Sequence, residues 1–94
     1  MKIVFNPPQL AVARQAATLH RLAQEIAPAD CTGQLRVLGA PRDEPLRLVL
    51  IQRGRWPSSI ELPRTWLHEE HAENELREQV TELFHAAAVA ARAT

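Results

Sequence analysis

His68-Glu69-Glu70-His71 is the stretch whose residue types come nearest to metal chemistry. Zinc-protease helices carry H-E-x-x-H, in which histidines four apart share a face and the glutamate acts as base. Here the histidines are three apart, with Glu75 one turn beyond His71. That spacing can share a metal on a helix, but no third strong ligand follows locally. His20 or His85 would have to be delivered by folding. A solvated helix start accounts for the same residues, so we expect neither a metal nor a cofactor.

Nucleophilic catalysis needs a nucleophile, a base and an orienting group brought together. Ser58, Ser59, Thr65, Cys31 and four histidines supply the types. The chain has no G-x-S-x-G elbow, no dinucleotide fingerprint and no phosphate loop, and its glycines are isolated at 33, 39 and 54. No catalytic residues are assigned, and a non-enzyme is expected. Cys31, the single cysteine, has no spaced metal partner and reads as a small, partly buried apolar residue.

The residues suited to binding are arginines, a tryptophan and glutamates. Residues 32–64 hold six arginines against Asp43, Glu44 and Glu61, a net of +3. Residues 65–94 hold six glutamates against Arg77 and Arg92, a net of −4. The whole chain is neutral, so the segregation carries more meaning than the total. Trp56, between Arg55 and Pro57, is either an exposed anchor or the lid of its own core, since Trp and Arg concentrate binding energy at interfaces. Trp66 reads as core. The candidate partner-binding residues are Glu69, Glu70 and Glu73 on the acidic stretch, and Arg47, Arg53, Arg55 and Trp56 on the basic one.

Recognisable elements must position these residues. Lys2 to Phe5 reads as a short strand. Asn6, Pro7 and Gln9 have the spacing of a helix start, and a helix near 8–27 follows with Val12, Ala16, Leu19, Ala23 and Ile26 on its core stripe. Pro28 ends it. Leu35 to Leu38 and Leu46 to Gln52 form an antiparallel hairpin, and Ser59 to Leu62 adds a further short strand. Thr65 caps a last helix to about residue 91, with Leu76, Val80, Leu83 and Ala87 inward and a solvated first stretch or a kink near Asn74. On the 46–52 strand, Leu46, Leu48 and Leu50 face one way, while Arg47, Val49, Ile51 and Arg53 face the other. The second face is either covered by a helix or open to a partner.

The expected fold is a single small α/β (α+β) domain over residues 1–94, ordered β-α-β-β-(β)-α. Its antiparallel sheet has three to four strands and carries two amphipathic helices. No segment reaches the roughly eighteen apolar residues of a membrane span. No signal-peptide pattern opens the chain, and one cysteine fits a reducing compartment, so the expected location is the cytoplasm. Arg and Ala richness is consistent with a bacterial or phage origin.

The leading functional expectation is a non-enzymatic protein–protein interaction module: an inhibitor, adaptor or regulatory subunit, of the anti-CRISPR-like kind that phages and mobile elements carry. It would use an acidic helix face, an Arg/aliphatic sheet face, or both. The alternative is nucleic-acid binding through the 36–64 arginines. An α-β-β-β-α order is shared with double-stranded RNA-binding domains, but Glu69, Glu70 and Glu73 stand where such domains place lysines against phosphate. A metal protein or enzyme ranks third. Alanine-rich helices and sheet-face aliphatics also favour homodimerisation.

Overall fold

The computed structural model describes residues 1–28, 33–39, 45–63, 66 and 73–93. The chain runs through β1 (Lys2–Asn6), a 3₁₀ turn (Pro8–Leu10), α1 (Ala13–Ile26), β2 (Gly33–Leu38), β3 (Leu46–Gln52), β4 (Ser58–Leu62) and α2 (Glu73–Ala93). The four strands form one sheet in the order β1-β2-β3-β4. This is the α+β domain that the sequence patterning predicts. β2, β3 and β4 pair antiparallel. β1 joins β2 in parallel, because α1 carries the chain back across the sheet before β2 begins, so the sheet is mixed.

Residues 6–12 differ from the expected helix start. Asn6 closes β1 opposite Leu38, and its carbonyl accepts the Gly39 N–H at 2.8 Å. Strand pairing thus takes the residue that the local pattern offers as a cap. The Asn6–Pro7 peptide bond is cis, and the helix begins only at Ala13. Val12 is its N-cap and is 44% exposed, outside the core stripe expected for it. α1 ends where Ala27 turns extended (ψ 137°) ahead of Pro28, the conformation that a following proline imposes.

The core is a leucine layer between sheet and helices. Leu35 and Val37 of β2, Leu46, Leu48 and Leu50 of β3 and Leu62 of β4 are buried from the sheet side. Leu19, Leu22 and Ala23 of α1 meet them, with Leu76, Val80, Leu83, Phe84 and Ala87 of α2. Trp66 is buried in the same layer, as expected of it. Ile26, the last residue of α1, packs against the cluster but is only half-buried. Each fully buried leucine contributes about 1.5–3 kcal/mol of transfer free energy.

α2 lies over β3 and β4 and touches α1, so both helices share the leucine face and the domain has two layers. Pro57 and Pro63 bracket β4, an edge strand, and a proline at either end limits further strand pairing there. The expected helix start at Thr65 and the polar stretch 67–72 lie outside the described residues. No helix among the described residues is long and apolar enough to cross a membrane.

Candidate functional site

Strand alternation places every second residue on the face of the sheet away from the helices. Register aligns them in three rows. Val4, Arg36, Val49 and Ser59 form the middle row. Asn6, Leu38, Arg47 and Glu61 lie on one side of it, and Lys2, Gln34 and Ile51 on the other. No described helix covers this face. Val4, Leu38, Val49 and Ile51 are half-buried there by their strand neighbours, while Arg36 and Arg47 are exposed. Arg47 Nη1 reaches the Ser59 hydroxyl at 3.4 Å, a weak contact. Neither arginine is in an ion pair with a described residue. Of the two readings of this face, covered or open, the helix placement selects the open one.

Arg53, Arg55 and Trp56 sit at one end of the sheet, on the β3–β4 connection. Arg55 N–H closes a four-residue turn onto the Gln52 carbonyl at 3.2 Å. Gly54 takes its third position with φ 76°, a left-handed conformation that a side chain would strain. The turn holds Arg53 and Arg55 on either side of Gly54 and leads into Trp56. Trp56 is 88% exposed, so it is an exposed aromatic and not the lid of a core.

Two grooves run between this turn and the last turns of α2. One, of about 360 Å³, is lined by Arg53, Arg55 and Arg92 with Phe84, Ala88 and Pro28. The other, of about 340 Å³, lies between Trp56 and the alanine face of α2 at Ala87, Ala90 and Ala91. The grooves share Gln52, Arg55, Ala87 and Ala91. Among the described residues, neither has a carboxylate in its lining. Arg92 is a component that the sequence reading does not single out. Its one signal is its place in the final turn of a helix whose alanine face returns to the β3–β4 end.

The acidic candidates divide. Glu69 and Glu70 lie outside the described residues. Glu73 is engaged within the fold, where it accepts a hydrogen bond from Arg21 of α1 and lies 3.9 Å from Arg77. Glu25 of α1 completes the set, 3.0 Å from Arg77 and 3.5 Å from Arg21. Hydrogen bonding to Arg77 holds the Glu25 carboxyl below the usual glutamate range, against the smaller opposing effect of desolvation. The hydrogen bond to Glu73 raises Arg21. This four-residue network pins α1 to α2, a structural use for part of the acidic stretch. Glu75, Glu78 and Glu82 remain exposed along α2.

Among the described residues no group of three His, Cys, Asp or Glu side chains is placed to hold a metal. His68, His71 and Cys31 lie outside them, and His20 and His85 are exposed on different helices. In comparisons with protein-family models, curated proteins and solved structures, the chain has no significant match.

Proposed function

We propose that the chain is a non-enzymatic protein–protein interaction module, acting as an inhibitor, adaptor or regulatory subunit in the cytoplasm. Its docking surface is the open face of the sheet. One observation carries this reading: both helices pack on the leucine face, which leaves Val4, Leu38, Val49 and Ile51 uncovered beside Arg36 and Arg47. Aliphatic side chains alternate there with cations, Arg36 between Val4 and Val49 in the middle row and Arg47 beside Leu38, so the face mixes apolar area with positive charge. Lys2, Arg36 and Arg47 against Glu61 make the face basic, so the matching partner surface combines acidic and apolar side chains.

The acidic stretch of α2 is the competing surface. Glu73's pairing with Arg21 shifts weight away from it, because breaking that pair to reach a partner costs part of what the partner returns. Capture from native lysate with three baits separates the two. Arg36→Glu with Arg47→Glu should remove the captured protein while circular dichroism stays native. Glu69→Lys with Glu70→Lys should leave it in place. The reverse pattern would transfer the function to the acidic helix and end the sheet-face reading.

A further inference from the structure

The β3–β4 end of the molecule has a chemistry that the sheet face does not need. Its first groove gathers three guanidinium groups, from Arg53, Arg55 and Arg92, with no carboxylate among the described residues of its lining. Among the described residues none of the three is in an ion pair. Three cations in one groove, none paired with a described carboxylate, call for an anion with several charges. Its second groove is a slot with an indole on one side and an alanine surface on the other. The exposed Trp56 indole offers a stacking surface to a flat ring, and the alanine methyl groups beside it offer an apolar floor. The two grooves share Arg55, so the flat site and the anion site adjoin.

We infer that this end binds a single strand of nucleic acid, with a base between Trp56 and α2 and its phosphates on Arg53, Arg55 and Arg92. Aromatic platforms beside a basic track are how strands are held without sequence readout. Grooves that open to solvent let a strand pass, and an indole at 88% exposure is available to a base from outside. An acidic peptide would satisfy the arginines but has no flat group for the slot. The C-terminal carbonyls of α2 offset part of the Arg92 charge, so Arg53 and Arg55 carry most of the phosphate contact. The α2 glutamates do not oppose it. Glu75, Glu78 and Glu82 precede Arg92 by seventeen, fourteen and ten residues, about 26, 21 and 15 Å along the helix, each beyond the screening length of about 8 Å at physiological salt. Glu82 lines a different groove, with Pro45, Ile60 and Glu61.

Fluorescence anisotropy with a labelled oligothymidylate of about twelve nucleotides tests this, a length within the usual footprint of one small domain. We expect saturable binding whose log K falls against log salt with a slope near −2, from about 0.7 per phosphate at three contacts. Trp56→Leu should weaken binding on the order of 10-fold, and Arg53→Glu with Arg55→Glu should abolish it. Arg36→Glu with Arg47→Glu, on the sheet face, should change it little. Loss of binding in that sheet-face variant, or full binding by Trp56→Leu, would overturn the inference. So would absence of binding at low salt, competition by polyglutamate at equal charge, or equal affinity for thymidine monophosphate.

Discussion

The Gln15 side-chain amide of α1 donates to the Trp66 main-chain carbonyl at 2.6 Å, across 51 residues of sequence. Gln15 is the buried polar side chain among the described residues, and this bond fastens the chain between β4 and α2 to the first helix. Gln15→Leu keeps the volume but removes the donor from a buried carbonyl. A loss of about 1–3 kcal/mol in urea unfolding is expected. A loss below about 0.5 kcal/mol would mean that water replaces the amide without cost.

The leucine layer gives a sharper contrast. Leu48 and Leu83 are both fully buried, one from the sheet and one from α2. Alanine at either should cost about 2–5 kcal/mol. Val49, the neighbour of Leu48 on the open face, should cost below about 1 kcal/mol on the same change. Equal losses at Leu48 and Val49 would show that something covers the second face.

How far the sequence alone leads can be argued from these residues. The alternation of Leu46, Leu48 and Leu50 marks a sheet with one apolar face, and period two leaves little choice of register. Gln15 is not legible, because a polar residue at that point of the α1 stripe gains its reason only from a carbonyl far away in sequence. The helix start fails for a related cause: Asn6 and Pro7 satisfy a local capping pattern, and a non-local strand pairing with β2 wins. Which face the helices choose, and hence whether Arg36 and Val49 are open, is a tertiary decision that no local pattern encodes. The pairing of Glu73 with Arg21 is hidden in the same way. Arg53, Arg55 and Trp56 stand out by type, but Arg92 joins them only through the packing of α2.

Acid should loosen the link between the helices. Glu25 titrates below its ordinary range because Arg77 and Arg21 favour its charged form. A carboxylate with a depressed folded-state pKa adds stability that is complete above the unfolded value and lost as pH falls through the folded one. Wild-type melting temperature should therefore drop more than that of Glu25→Gln between about pH 7 and pH 3, a range that spans the ordinary glutamate pKa of about 4.3. The two curves should converge at the acid end. Parallel curves across the whole range would mean that the pairs contribute nothing. All four side chains are partly exposed, so added salt should shrink the difference.

Metal removal should leave the domain unchanged. Its described core is closed by leucine packing, with no ligand cluster to lose. Dialysis against a strong chelator is expected to preserve the melting temperature. A fall of several degrees, restored by zinc and absent in His68→Ala, would assign the His68-Glu69-Glu70-His71 stretch a metal after all.

Self-association should rise with salt, the opposite of strand binding. The open face offers Val4, Leu38, Val49 and Ile51 to a second copy, which favours pairing by apolar burial. Two such faces also bring Lys2, Arg36 and Arg47 of each copy together. Glu61 lies opposite Arg47 in register and offsets one of those charges, leaving Lys2 and Arg36 to repel their counterparts. At low ionic strength repulsion extends over about 30 Å, and at 0.1 M over about 10 Å, while apolar burial changes little across that interval. Sedimentation velocity should show a monomer in dilute buffer and a growing dimer fraction as sodium chloride is added. Arg36→Glu should move the dimer to low salt, because it turns a repulsive position into one that can pair with Lys2 or Arg47 of the other copy. A strict monomer at every salt and protein concentration, in wild type and variant alike, would reserve the face for a different protein. Dimerisation that weakens with salt would place the contact elsewhere, between the basic β3–β4 end of one copy and the exposed Glu75, Glu78 and Glu82 of another.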